Sequence, residues 1–273
     1  GFYIFMQRAE HKTGNKYVIF LRRIIILGIF GFLHMQLQPG EALLIYAIFG
    51  LLLIPFFKLN KYINFTIGLI VLVLFIWLDA KFLIPFPYFI LGLASAQFGI
   101  IFKFDTASKV WSIVAISSGI ISIIGWYVLN KFYVVPYIDL LPRQLQKSTE
   151  DYITAVDQYH HLITIFSPFM SLFYISCLIL LLNMTWGRFI LTPLKYYGRM
   201  ALTNYIGQTL IIYLLIIICD GKHWSLLQSL WICLTIYIVQ IITSMLWLKY
   251  FKLGPLEYIW KVATYLKWIN MKK

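Results

Sequence analysis

Apolar positions along this chain gather into runs that carry almost no charge, at Ile24–Pro39, Ala42–Phe57, Tyr62–Leu78, Phe82–Phe102, Val110–Asn130, Leu162–Trp186, Met200–Cys219 and His223–Leu248. A bilayer core of about 30 Å takes about 20 apolar residues in helical form, so the pattern predicts an all-α, polytopic transmembrane bundle of about eight spanning helices. The second and third runs stand at the lower limit of a crossing. The fourth opens with Ile84-Pro85-Phe86-Pro87 and reads as a candidate re-entrant segment. Gly1–Met6, apolar before Gln7-Arg8, reads as the inner end of a truncated helix, which implies an upstream helix. After Gly254-Pro255 the residues Leu256, Ile259, Trp260, Ala263 and Leu266 fall on one helical stripe, so 254–273 is expected to be a cytoplasmic amphipathic tail lying on the membrane surface.

Composition strengthens this reading. Of 273 residues, 61% are hydrophobic and only 12% charged, against about 25% charged in an ordinary soluble domain. A soluble dinucleotide-binding enzyme, a disulfide scaffold and a nucleic-acid-binding domain are excluded. The net charge of +13 is then a bias between membrane faces. Eight alternating helices place most basic residues, among them Arg8, Arg22, Arg23, Lys58, Lys61, Lys103, Lys109, Arg188, Lys195, Arg199, Lys249 and Lys252, on one side. Glu41, Asp79, Asp139, Glu150, Asp151, Asp157 and Asp220 fall on the other. The positive-inside rule makes the basic side cytoplasmic, which gives a multi-pass plasma-membrane protein with both ends of the chain inside. Cys177, Cys219 and Cys233 have no paired spacing and read as small buried apolar residues. No cleavable signal peptide is visible.

The chain reads as a single transmembrane domain over 1–273 with one long polar insertion, 131–161, outside the membrane. Pro136 and Pro142 keep its first half irregular, and Ser148-Thr149-Glu150-Asp151 predicts a helix starting near Thr149. Connections of about 30 residues are more often binding elements than spacers, so this segment is expected to be a lid.

Polar groups are costly in hydrocarbon, so those within the apolar runs are candidates for chemistry. His34 is followed after a short turn by Glu41; a carboxylate orients an imidazole and suits it to general-base work. The bland alternative is an interfacial His and a Glu that begins the next helix. Arg199, Thr203, Asn204 and Gln208 form two adjacent polar rows at the start of the seventh run, suited to a phosphate or carboxylate arriving from the cytoplasm; the alternative is a membrane anchor with amides joining helices. His160-His161 beside Asp157 reads as an exposed helix end. No metal site is expected, and the common soluble-enzyme motifs are absent.

Three ordered blocks carry a family resemblance. Arg22-Arg23-x4-Gly28-x2-Gly31-x2-His34 with Gly40-Glu41-Ala42-Leu43-x2-Tyr46-Ala47, then Gly198-Arg199-Met200-Ala201-Leu202-Thr203-Asn204-Tyr205-x2-Gln208, then Gly254-Pro255-Leu256-Glu257-Tyr258-Ile259-Trp260 are similar to blocks of the bacterial YeiB-like membrane proteins, which carry domain of unknown function 418. The family's C-terminal block would cover about 110–265. Gly254, Pro255, Glu257 and Trp260 would be its structural motif. Glu41 stands where the family usually has Asp, and the family's first helix has no counterpart here. The resemblance implies an inner-membrane protein remotely grouped with membrane acyltransferases, which move acyl groups from a cytoplasmic donor to an acceptor across the membrane.

The leading expectation is therefore an acyltransferase acting on an envelope glycan or lipid-linked acceptor. His34 oriented by Glu41 would be the base, and Arg199, Thr203, Asn204 and Gln208 would hold the donor, with acyl-coenzyme A as a substrate and no resident cofactor. Full spans would set these two clusters about 30 Å apart. A transporter of a small amphipathic solute, gated at the fourth run, and a non-catalytic membrane scaffold are the alternatives. Membrane lipids are the expected partners, nucleic acid is not, and oligomeric state is left open.

Overall fold

The computed structural model describes residues 1–10, 15–100, 108–133, 149–219 and 224–273. Most of the first half of the expected lid, 134–148, lies outside the described residues, as do Lys103, Asp139, Asp220 and His223. The described residues fold into helices: α1 (Phe2–Glu10), α2 (Lys16–Met35), α3 (Leu43–Leu52), α4 (Lys61–Trp77), α5 (Pro85–Gln97), α6 (Ser108–Lys131), α7 (Thr149–Asn183), α8 (Thr185–Arg199), α9 (Ala201–Ile218), α10 (Leu226–Tyr250) and α11 (Pro255–Tyr265). The only β pairing among them is an isolated bridge between Phe251 and Lys272.

Among the described residues, five helices are long and apolar enough to cross a bilayer: Lys16–Met35, Ser108–Lys131, Tyr152–Asn183, Ala201–Ile218 and Leu227–Tyr250. The chain is thus a multi-pass membrane protein. The three remaining expected crossings are shorter helices, α3 with 10 residues, α4 with 17 and α5 with 13; at 1.5 Å per residue α3 rises only about 15 Å. The helix expected near Thr149 does begin there, but it continues through Pro168 to Asn183, so the outer segment and the sixth apolar run are one helix. Helix starts carry the caps their sequences supply: Asn15 accepts from Tyr17 N, Asn60 from Tyr62 N, and Ser225 with Gln228 forms a capping box.

The chain divides into two compact units, Gly1–Phe57 with Phe189–Lys273, and Lys58–Arg188. In the first, Met6, Phe20, Ile24 and Ala47 form a buried cluster that joins α1, α2 and α3. The α2–α3 hairpin closes at Gly31, where a Cβ would stand 2.5 Å from the backbone N of Leu44 and 2.9 Å from its Cα. Only glycine admits so near an approach. In the second unit α6 packs on α7 through Gly119 and Gly125, which receive the rings of Phe173 and Phe166, as small residues do between membrane helices. The α4–α5 turn is fixed from α7, where His161 Nδ1 lies 3.2 Å from Asp79 Oδ1 and Lys81 Nζ 3.0 Å from Asp79 Oδ2. His161 is therefore tied to the turn, and the pair is not a free helix end; His160 stays exposed.

Candidate functional site

The close α2–α3 contact sets the geometry of the site. Three residues past Gly31, His34 ends α2, and after the turn at Pro39-Gly40 the chain returns with Glu41 ahead of α3. Both are buried, His34 at 3% exposure and Glu41 at 4%, and His34 Nδ1 is hydrogen-bonded to Glu41 Oε2. The other carboxylate oxygen, Oε1, accepts the Leu43 N–H at 2.5 Å, so Glu41 is fixed from both sides. An ionised carboxylate only accepts hydrogen bonds. The proton of a neutral imidazole is then on Nδ1, and Nε2 presents its lone pair.

That lone pair meets a hydroxyl. Thr209 Oγ1, on α9, lies 2.8 Å from His34 Nε2. Tyr205, one turn earlier on α9, sets its ring edge-on to His34 with 5.2 Å between centroids and its hydroxyl 3.5 Å from Glu41 Oε2. The result is a carboxylate–imidazole–hydroxyl chain, Glu41–His34–Thr209, buried at Glu41 and His34 and half-buried at Thr209, with a phenol beside it. This is the order in which a carboxylate orients a base that takes a proton from a hydroxyl nucleophile. Thr209 and Tyr205 were not among the sequence candidates. Tyr205 stood inside a recognised block, but Thr209 carried no signal, because a threonine on an apolar helix ordinarily bonds its own backbone.

The second candidate cluster is used differently. Glu257 of α11 accepts from Leu202 N at 2.7 Å, Thr203 N at 3.0 Å and Thr203 Oγ1 at 2.5 Å. A carboxylate from a distant element therefore caps the start of α9, where unpaired N–H groups favour an anion. Gly254 and Pro255 place it: a Cβ on Gly254 would stand 3.0 Å from both Thr203 Oγ1 and Met200 Cγ, and Pro255 takes the first helical position. Asn204, buried, donates to Tyr197 O and to Ser244 Oγ, while Gln240 donates to the Asn204 carbonyl. Gln208 donates to the Tyr197 hydroxyl at 3.0 Å, and Arg199 to the Lys252 carbonyl at 2.9 Å. Thr203, Asn204 and Gln208 thus join helices. The two clusters are also not at opposite ends of a span: Thr203 and Tyr205 are about 3 Å apart along the α9 axis.

The tail helix likewise packs on protein. Trp260 Nε1 donates to the Arg23 carbonyl at 2.8 Å, and the Arg23 guanidinium lies 3.7 Å from the centre of the Trp260 ring and 5.1 Å from that of Phe5. Beside this stack Arg8, Arg23, Lys261 and Tyr265 line a cavity of about 720 Å³.

A family described as "Protein of unknown function (DUF418)" matches residues 95–267. The chain is 42% identical over 273 residues to the "Uncharacterized 39.9 kDa protein in amylase 3'region" of Bacillus acidopullulyticus, covering 97% of this chain and 76% of the relative. It is 25% identical to YxaH of Bacillus subtilis over 334 residues, with 78% of that protein covered, and 40% identical to YeiB of Escherichia coli over 68 residues, 24% of this chain and 18% of YeiB. No solved structure matches.

Proposed function

From the premise that this multi-pass membrane protein belongs to the DUF418 family, we propose that it is an acyltransferase of the plasma membrane that modifies a hydroxyl on an envelope glycan or lipid-linked acceptor. The observation that carries the reading is the Glu41–His34–Thr209 chain, whose carboxylate and imidazole are buried. The acceptor hydroxyl takes the place of the Thr209 hydroxyl at His34 Nε2. His34 removes its proton as the acceptor oxygen forms a bond to the donor's acyl carbon. The bond from that carbon to the donor thiol breaks, and the imidazolium returns a proton to the departing thiolate. Glu41 holds the imidazole in the accepting tautomer and offsets the imidazolium charge. Tyr205, whose ring stands against His34, would donate its hydroxyl to the carbonyl oxygen.

The donor is acyl-coenzyme A. Because Thr203, Asn204 and Gln208 bond within the protein, its phosphates are assigned to the cavity of Arg8, Arg23 and Lys261. The cytoplasmic side is the one with the basic residues, which sets both ends of the chain inside and the segment 131–161 outside. α3, α4 and α5 are taken as short passes that complete the expected eight, and the His34–Glu41 pair is set within the bilayer, about 16 Å along α2 from Arg23.

The test is reconstitution in liposomes with labelled acyl-coenzyme A on the basic side and an envelope extract as acceptor. Protein-dependent release of free thiol together with label transfer supports the reading. No release with any acyl donor refutes it.

A further inference from the structure

The sequence candidates left α8 unread. Its 15 residues, Thr185–Arg199, divide cleanly around the helix axis. At about 100° per residue, Trp186, Phe189, Ile190, Pro193, Leu194 and Tyr197 fall within one broad face, and Arg188, Lys195 and Arg199 within an arc of about 40° on the opposite side. The apolar face is open at its principal positions: Phe189 is 80% exposed, Ile190 60%, Trp186 57% and Leu194 48%. An aqueous surface would not tolerate such a stripe. A bilayer core would not tolerate the three cations.

We propose that α8 is an in-plane helix that docks on anionic phospholipid at the inner leaflet, with Trp186, Phe189, Ile190 and Leu194 seated among the upper acyl chains and Arg188 and Lys195 against phosphate headgroups. Both halves of the argument are on the helix. An amphipathic helix with a cationic polar face lies in the interface, and each cation near an anionic surface adds attraction. Its length, about 22 Å, and its place between the spans α7 and α9 keep it at one membrane face. The docking also reaches the interior. Tyr197, at the α8 end, accepts from Gln208 at its hydroxyl and from Asn204 at its carbonyl, and Gln208 precedes Thr209. The seating of α8 therefore fixes the height of α9, which carries the hydroxyl at His34.

The test places a photo-crosslinking phenylalanine analogue at Phe189 in the full chain, reconstituted in phosphatidylcholine vesicles with 20–30 mol% phosphatidylglycerol (about the anionic fraction needed for a measurable surface field). Adducts are identified by mass. Ile120 on α6, 55% exposed on a spanning helix, carries the same label as a positive control for lipid capture. Phospholipid adducts at 189, enriched several-fold in phosphatidylglycerol over its bulk fraction and falling to that fraction in R188Q/K195Q, are expected. A predominant adduct to a second copy of the chain, absence of lipid adducts at 189 while the control gives them, or an unchanged lipid ratio in R188Q/K195Q would overturn the proposal. Monodispersity of each variant in detergent separates misfolding from lost docking, and no step depends on acyl transfer.

Discussion

His34 Nε2 and Thr209 Oγ1 lie 2.8 Å apart although 175 positions separate them in the chain. The contact exists because α2 ends beside the third turn of α9, and because Glu41 leaves Nε2 as the accepting nitrogen. On the proposed acyl transfer, Thr209 occupies the position that the acceptor hydroxyl takes. Thr209→Val should leave turnover within about tenfold of wild type, since the acceptor replaces the hydroxyl. Glu41→Gln should cost about 10²-fold or more, because an amide can donate to Nδ1 and turn the imidazole to the wrong tautomer. Steady-state rates of label transfer for the two variants check this; equal losses would contradict it.

Gly31→Ala should weaken the α2–α3 hairpin. The added Cβ meets the Leu44 backbone at 2.5 Å, and overpacking of this kind costs about 1–3 kcal/mol. The expected outcome is a lower thermal midpoint in detergent, with turnover falling as His34 and Glu41 are displaced. An unchanged midpoint would show that the hairpin yields without cost.

Glu257→Ala removes the acceptor of three donors at the start of α9. Loss of such a cap costs about 0.5–2 kcal/mol, with more when the stranded donors are shielded from water. The melting midpoint should fall, and Glu257→Gln, which keeps an acceptor oxygen, should recover part of it. Equal midpoints for the Ala and Gln variants would contradict the capping role.

Asp79 sets an acid limb on stability. Partial burial pushes its carboxyl up, but hydrogen bonds from Lys81 and His161 and their charges outweigh that, so its pKa is held below the ordinary carboxylate value. A lowered folded value means the contribution is complete above the ordinary pKa of about 3.9 and is lost as pH falls through the lowered one. Melting curves between pH 5 and about 2.5 should show a decline that flattens in Asp79→Asn; identical slopes would exclude this tie.

What the sequence disclosed follows from the range of each interaction. His34 and Glu41 are seven residues apart around a Pro-Gly turn, so their meeting was legible. Thr209 depends on packing between helices far apart in the chain. The block around Glu257 was recognisable, but its role as the cap of α9 was not, since a cap is ordinarily supplied by a neighbouring residue. Counting charge-free runs missed α8, because Arg188, Lys195 and Arg199 interrupt the run linearly while sharing one arc around the axis. The same counting split α7 at Leu162, where backbone hydrogen bonding continues through the polar-to-apolar boundary. It also gave no sign that the α3 and α5 helices are only 10 and 13 residues long, because apolarity sets burial in lipid whereas the turns at Leu53 and Phe98 set length.

The central claim is that His34 is the base of an acyl transfer within the membrane. The direct measurement is acyl transfer from labelled acyl-coenzyme A to envelope acceptor in proteoliposomes, comparing wild type with His34→Ala. The account predicts transfer by wild type and a loss of about 10²–10⁴-fold in the variant, measured on protein that remains monodisperse in detergent. Transfer that survives in His34→Ala would contradict it.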